Sequence, residues 1–407
     1  MTPDSSPVTP ERVACPDCGL MQVLPTLHGR QTAVCHRCYS TLAGPARGRV
    51  DAPLALAAGA LVLLLAALVW PLMTVSSLGA LRESWLATCV AALWDQGFMS
   101  LATVVAAFSM MLPCLYLVML VSVLFALRVG WHRGLAPVFR WVRHLRPWMM
   151  IEVFLVGGFV AYSRIKVVAT IDIGVGGWCL LGAALLFLLA VTQLDERTVW
   201  EALPVRPAPA AGPGGKTIAC TVCDLIANDV HEGAPCPRCA ATLHTRKPDA
   251  LRRTAALVVA GFLLYVPANV IPVLTTVRLG RAEENTILSG VQELIQNDLW
   301  PLAIIVFSAS IILPLLKLCG LTWMLLATHL RARSGLVGRT RFYRAIDVVG
   351  RWSNIDVFAV AVLIAALRFG ALTEVHAGTG LVAFAAVVII TMLATEAFDT
   401  RLMWDVA

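Results

Sequence analysis

Long apolar stretches separated by short polar segments dominate this chain of 407 residues, of which 58% are hydrophobic and 14% charged. A stretch of about 20 apolar residues can cross the bilayer core as a helix. The sequence predicts an all-α polytopic membrane protein with two groups of four spans. These spans are 52–76, 98–127, 148–169, 173–194, 252–275, 299–328, 354–372 and 378–395.

The second group of spans repeats the first. Three pairs of segments align: FSMMLPCLY (108–116) with FSASIILPLLK (307–317), RPWMMIEVF (146–154) with GRWSNIDVF (350–358), and DERTVWE (195–201) with DTRLMWD (399–405). Because each group has an even number of spans, both repeats insert in the same orientation, as a tandem parallel duplication. The matched prolines Pro113 and Pro314 predict a shared bend in the second and sixth spans.

Polar loops follow the first and fifth spans. The loop at 74–97 predicts a short strand followed by a short amphipathic helix. In the later loop, Asn285 is predicted to cap a helix. The apolar face of that helix consists of Ile287, Val291, Leu294 and Ile295.

Eight of the twelve cysteines form four CxxC pairs outside the spans. The first set is Cys15, Cys18, Cys35 and Cys38, and the second is Cys220, Cys223, Cys236 and Cys239. This spacing is typical of zinc ribbons, in which two turns supply four thiolates to one tetrahedral ion. Four thiolates leave no open coordination position, so two structural zinc sites are predicted. Iron in the same ligand set, or redox use of the thiols, are the alternatives.

The composition divides the chain into five regions. These are a tail and first ribbon (1–48, with 1–12 predicted to be disordered), a first transmembrane module (49–201), a Pro/Gly/Ala linker (202–216), a second ribbon (217–247) and a second transmembrane module with a short tail (248–407).

Arginines cluster in the loops after the second and sixth spans. The positive-inside rule places these loops in the cytoplasm, and therefore also both ribbons and both termini. This role in topology accounts for the net charge of +7, so no nucleic acid partner is expected. The N-terminus has no apolar core with a cleavage site, and no signal peptide is expected.

Lys317 lies deep inside the sixth predicted span, where a charge costs at least a few kcal/mol unless it is paired or hydrated. Asp356, at the start of the next span, is its predicted partner. Ser310 lies two turns earlier on the same helix face, Ser308 shares that helix, and Thr391 in the last span is predicted to close the cluster. The alternative is that the lysine extends to the interface without a function.

The first module lacks this lysine, because Tyr116 occupies the position of Lys317. Glu152 corresponds to Asp356, with pairing to Arg146 as its alternative role. A polar cavity is therefore expected in the second module. No nucleophile with its base, phosphate-binding glycine loop or haem ligand pair is recognisable, so an enzyme is not expected.

The two ribbon-plus-four-span units, the stretch TILSGVQELIQNDLWPLAIIVFSASIILPLLKL (286–318) and the closing DxRxxW[ED] element resemble the paraquat-inducible protein A (PqiA/LetA) family of bacterial inner-membrane proteins. The resemblance implies tetraspanin-like or claudin-like modules with small extracytoplasmic β elements. It implies a periplasmic MCE tunnel protein as partner, and movement of phospholipid or another lipid between the inner and outer membranes. It also implies a lipid-handling cavity at Lys317, Asp356, Ser310 and Thr391.

Two classes of function thus follow from the sequence. The first is the inner-membrane subunit of a lipid transport system. The second is a zinc-dependent anchor, assembly or sensor protein for an envelope complex, which itself transports nothing.

Overall fold

The computed structural model describes residues 12–25, 27, 31–44, 50–77, 80–166, 169–207, 215–278, 281–367 and 373–405. The predicted disordered tail lies outside these residues except for Arg12, which instead begins the first strand. The centre of the predicted linker, 208–214, also lies outside them.

The elements fall into two similar series. Before the linker they are β1 (Arg12–Ala14), β2 (Met21–Val23), β3 (Ala33–Val34), β4 (Thr41–Ala43), α1 (Asp51–Val69), β5 (Met73–Ser77), β6 (Ala80–Ser84), α2 (Leu86–Asp95), α3 (Met99–Ala106), α4 (Leu112–Arg128), α5 (Leu135–Leu145), α6 (Ile151–Ile165), β7 (Thr170–Ile173), α7 (Val175–Gln193) and α8 (Glu196–Glu201). After it they are β8 (Lys216–Ala219), β9 (Ile226–Val230), α9 (Ala250–Val270), β10 (Leu274–Arg278), β11 (Arg281–Asn285), α10 (Ile287–Gln296), α11 (Trp300–Phe307), α12 (Leu313–His329), α13 (Leu336–Val349), α14 (Ile355–Ala366), β12 (Thr373–Ala377) and α15 (Thr379–Ala397).

Eight helical segments of the described residues are long and apolar enough to cross a membrane, which confirms the predicted eight spans. The first and fifth end at Val69 and Val270, earlier than predicted. The reason is that Pro71 and Pro272 follow closely, and proline has no N–H with which to continue a helix. The third and seventh segments each begin with a separate helix, α5 or α13, before the apolar α6 or α14.

The residues that follow Val69 and Val270 form strands. In the first module a hairpin, rather than the predicted single strand, precedes α2. In each module a third strand, from the connection between that module's last two spans, joins the hairpin. The resulting antiparallel sheets have the strand orders β6-β5-β7 and β11-β10-β12. Both sheets lie at the end of the helices opposite the cysteine clusters. We call these two ends the sheet end and the ribbon end.

The helix at the sheet end of the second module begins one residue later than predicted. Thr286, not Asn285, is the N-cap, and its hydroxyl accepts a hydrogen bond from the N–H of Ser289. The apolar face is as predicted, with Ile287, Val291 and Leu294 buried.

The two long spans that contain Pro113 and Pro314 share a distortion. In each, a π-helical turn precedes the proline, at Ala107–Met111 and at Ser308–Ile312. Proline cannot donate to the carbonyl four residues earlier, and a local widening of the helix relieves this break. The matched prolines therefore mark the same structural feature in both modules.

The modules pack against each other through α6 and α14. Every residue of α14 is buried. The helices approach closely at Gly157, where an added Cβ would lie 2.8 Å from the carbonyl oxygen of Ile355 and 2.9 Å from Cβ of Phe358. The rings of Phe154 and Phe358 also meet edge to face. Close approach at a small residue is a common way for membrane helices to associate.

Each ribbon contacts the module that it does not precede in the chain. The first ribbon contacts α13, where Arg344 forms an ion pair with Asp17 at 3.1 Å and donates to the carbonyl of Cys38. The second ribbon contacts α5, where Arg140 donates to the carbonyl of Ala240 at 3.0 Å. Arg140 and Arg344 occupy equivalent positions of the repeat, so the exchange of ribbons is reciprocal.

Gly157→Ala is expected to destabilise the folded protein by about 1–3 kcal/mol, because the new methyl group must push α6 and α14 apart. Gly158→Ala is the matched control, since an added Cβ there meets nothing within 4 Å. Thermal unfolding of the full chain in nanodiscs, followed by tryptophan fluorescence, compares the two. Equal transition temperatures would show that the contact at Gly157 does not hold the modules together.

Candidate functional site

Each set of four cysteines is gathered into one buried cluster. Within each cluster all four sulfur atoms lie within 4.8 Å of one another. In the first, Cys15 and Cys38 are 3.4 Å apart and Cys18 and Cys35 are 3.6 Å apart. Around a tetrahedral zinc ion with bonds of about 2.3 Å, neighbouring sulfurs are about 3.8 Å apart. The donor set and its spacing therefore fit a metal ion, and the chain has two four-cysteine metal sites.

The local backbone explains how the cysteines converge. The residue after the second cysteine of every CxxC pair adopts left-handed φ and donates its N–H to the carbonyl of the first cysteine. These residues are Gly19, Tyr39, Asp224 and Ala240. Three of the four are not glycine, and each accepts a strained conformation to close the turn. Such turns direct both thiols of a pair toward the same point.

Ser40 distinguishes the first cluster from the second. Its hydroxyl lies 2.8 Å from the sulfur of Cys38 and 3.1 Å from that of Cys15. Hydrogen bonds from Cys18 and Ser40 lower the pKa of Cys15, against burial, which raises it. Ala241 occupies the equivalent position in the second ribbon and offers no hydroxyl. The two sites thus have the same ligands and different outer partners.

Asp356 is buried in the first turn of α14. Ser310, in the π-helical turn of the sixth span, donates a hydrogen bond to its carboxylate. Both residues belong to the predicted polar cluster, although the contact predicted for Asp356 was with Lys317. The π turn and the buried start of α14 bring the two side chains together.

Lys317 is also buried, but its partner is not Asp356. Its Nζ donates to the backbone carbonyl of Gly350 at 2.9 Å. An added Cβ at Gly350 would lie 1.9 Å from Cε of Lys317, so a side chain there would require the lysine to move. The prediction of a direct ion pair between Lys317 and Asp356 is therefore wrong.

The physical reason lies in the rise of the helix. Ser310 precedes Lys317 by seven residues, about 10 Å along the axis, so a carboxylate bonded to Ser310 lies well away from the ammonium group. Thr391 does not close the cluster either, because its hydroxyl donates to the carbonyl of Val388 in its own helix. Ser308 is half-buried in the same π turn as Ser310.

The corresponding positions of the first module are different. Tyr116 is buried and its ring packs edge to face on Phe187. Glu152 is half-buried at the start of α6. Arg146, the alternative partner of Glu152, forms an ion pair with Glu196, and the role of Glu152 stays a prediction.

Lys317 and Asp356 line cavities at opposite ends of the second module. A cavity of about 360 Å³ at the ribbon end is lined by Lys317 together with Lys247, Tyr343, Asp347 and residues of the first module. At the sheet end, Asp356 lines a much smaller cavity of about 30 Å³ with Arg164 and Asn285. The two charged groups are thus reached from different sides.

Arg164, Asp347 and Gly350 belong to these sites and were not predicted from the sequence. Arg164 comes from α6 of the first module and interacts electrostatically with Asp356. One sequence feature points to it. The positive-inside rule disfavours arginine at the periplasmic end of a span, and Arg164 occupies the end of the third predicted span that the same rule assigns to the periplasm.

Comparison with known proteins places the chain in a family. The family profile described as paraquat-inducible protein A matches residues 50–204 and 251–407. The chain belongs to the paraquat-inducible protein A family. Among its relatives, Escherichia coli (strain K12) "Intermembrane transport protein PqiA" is 32% identical over 97% of this chain and 96% of its own length.

Two further relatives are similar to this chain along nearly their whole length. "Lipophilic envelope-spanning tunnel protein A" of Escherichia coli (strain K12) is 30% identical, covering 96% of this chain and 90% of the relative. "Probable intermembrane transport protein" of Haemophilus influenzae is 25% identical, covering 96% and 95%. No solved structure matches the chain. The two stretches matched by the family profile correspond to the two transmembrane modules and leave out both cysteine clusters.

Ser40→Ala is expected to weaken metal binding at the first site by about tenfold, because loss of an outer hydrogen bond typically costs 10- to 100-fold in affinity. Ala241→Ser provides the reciprocal variant at the second site. Metal release to a chromophoric chelator, measured from the full chain, should become biphasic in Ser40→Ala with one ion leaving faster. An unchanged release profile would contradict a role for Ser40 in holding the metal.

Proposed function

We propose that this protein is the inner-membrane subunit of an MCE-type system that moves lipids between the inner and outer membranes. Relatives named for intermembrane transport and for an envelope-spanning tunnel support the transport role. The periplasmic partner is proposed to be an MCE tunnel protein. The ribbon end is assigned to the cytoplasm by its arginine-rich loops, and the sheet end to the periplasm.

The observation that carries this proposal is the pair of separate buried charged groups, Lys317 and Asp356, inside the second transmembrane module. Charged groups inside a membrane are costly and usually mark a pathway for substrate or ions. Lys317 faces the cavity of about 360 Å³ at the ribbon end, and Asp356 faces the sheet end. This arrangement supports a module that handles a polar headgroup at two depths while its apolar surfaces contact acyl chains.

The polar residues have distinct proposed roles. Ser310 orients the carboxylate of Asp356 and holds it toward the sheet end. The backbone carbonyl of Gly350 accepts a hydrogen bond from Lys317 and holds its ammonium group in place. The lysine side chain lines the ribbon-end cavity. Thr391 and Ser308 are proposed to shape the surrounding surfaces rather than to contact the headgroup directly. Glu152, the counterpart of Asp356 in the first module, is proposed to have no part in lipid binding.

The metal sites are proposed to hold zinc and to brace the modules. Four thiolates at each site suit Zn²⁺ and would leave it no open position for catalysis. A bound ion would supply the folding free energy that such small ribbons lack. The exchanged contacts of Arg344 and Arg140 with the ribbons support this bracing role. They also favour, as the second candidate function, an anchor that assembles an envelope complex without transporting lipid.

Lys317→Ala and Asp356→Asn are expected to lower the amount of lipid that co-purifies with the full chain by at least about tenfold, because each removes a charged hydrogen-bonding group. Mass spectrometry of extracted lipid provides the measurement. Glu152→Gln, the equivalent change in the first module, is the matched control and should retain lipid. Metal content and elution volume of each variant report its folding.

The same samples distinguish the two functions. Capture of the MCE partner from membranes shows whether each variant still assembles. If Lys317→Ala keeps its lipid and its partner, the buried lysine is structural and the anchoring function is the better account. Loss of lipid with retained assembly supports transport.

A further inference from the structure

Arg164 lies between two adjoining cavities at the sheet end, where the two modules meet. One cavity, of about 30 Å³, also contains Asp356, and the other has a volume of about 130 Å³. Arg164, Leu274, Glu293 and Leu363 line both. Because Arg164 belongs to α6 of the first module, this site exists only when the modules are packed together.

The guanidinium group has capacity for further hydrogen bonds. Its Nε is buried and has no hydrogen-bond partner among the described residues. The group lies beside Gly290 of α10, where an added Cβ would be 3.4 Å from one of its terminal nitrogens. A buried donor without a partner is costly, and a ligand that accepts from it would remove that cost.

The walls of the larger cavity suit a lipid rather than a small ion alone. Leu299, Leu363, Leu367 and Val375 supply apolar surface, while Thr276 and Asn297 supply polar groups. A guanidinium group binds phosphate through two parallel hydrogen bonds, which gives both affinity and orientation.

We propose that Arg164 binds the phosphate of a phospholipid headgroup at the sheet end of the second module. This inference rests on the proposed lipid transport and names the class of lipid and the residue that recognises it. The site would receive or release the headgroup on the periplasmic side, with Asp356 beyond it. A free phosphate ion offers the same chemistry, and the test separates the two sources.

Native mass spectrometry of the full chain, released from neutral detergent micelles, tests the proposal. Phosphatidylglycerol, diacylglycerol with the same acyl chains and inorganic phosphate are titrated separately. Arg164→Gln should bind phosphatidylglycerol at least about tenfold more weakly than the wild type, and Arg164→Lys should retain part of the affinity. Diacylglycerol binding should be equal in all three proteins, because it has no phosphate.

Arg128→Gln is the matched control. Arg128 lies at the ribbon end, pairs with Asp51 at 3.2 Å and is largely exposed, so its loss should leave phosphatidylglycerol binding unchanged. Metal content and elution volume again confirm folding.

The outcomes separate this inference from the function on which it rests. Equal phosphatidylglycerol binding by wild type and Arg164→Gln would overturn the role of Arg164 while leaving lipid transport intact. Phosphate binding that depends on Arg164, without phosphatidylglycerol binding, would overturn the lipid headgroup as the ligand. A wild type that binds none of the three would remove both this inference and the proposed function.

Discussion

The close contact of α6 with α14 is the feature on which the rest of the structure depends. Because Gly157 lets the two helices approach, α14 is enclosed on all sides by protein. The acyl chains of a bilayer cannot hydrogen-bond to a polar group, so Asp356 in the membrane needs protein partners. The packing of the two modules provides them, with Ser310 from one module and the charge of Arg164 from the other.

The same contact makes two similar modules unequal. Their strand orders, π-helical turns and closing elements correspond one to one. Yet α14 is wholly buried, whereas α6 keeps partly exposed residues such as Phe159, which is 60% exposed. A buried charge is tolerated in α14 because its surroundings are protein. Tyr116, in place of Lys317, fills the equivalent space in the first module with packed aromatic surface.

The sequence predicts features that depend on local pattern or on the repeat. The eight spans and both cysteine clusters follow from hydrophobic length and CxxC spacing. The partner of Lys317 could not be found this way, since it is a backbone carbonyl, and every residue has one. Arg164 was missed because its role depends on how two modules pack. The exchanged ribbons depend on the same packing.

The exchange of ribbons also places a metal site close to a polar site. On α13, Arg344 contacts the first ribbon, and Asp347, one turn later, lies in the cavity with Lys317 and interacts with it electrostatically. Folding of a four-cysteine ribbon depends on its metal. One helix thus connects the first metal site, whose ribbon precedes the other module, with the acidic neighbour of the buried lysine.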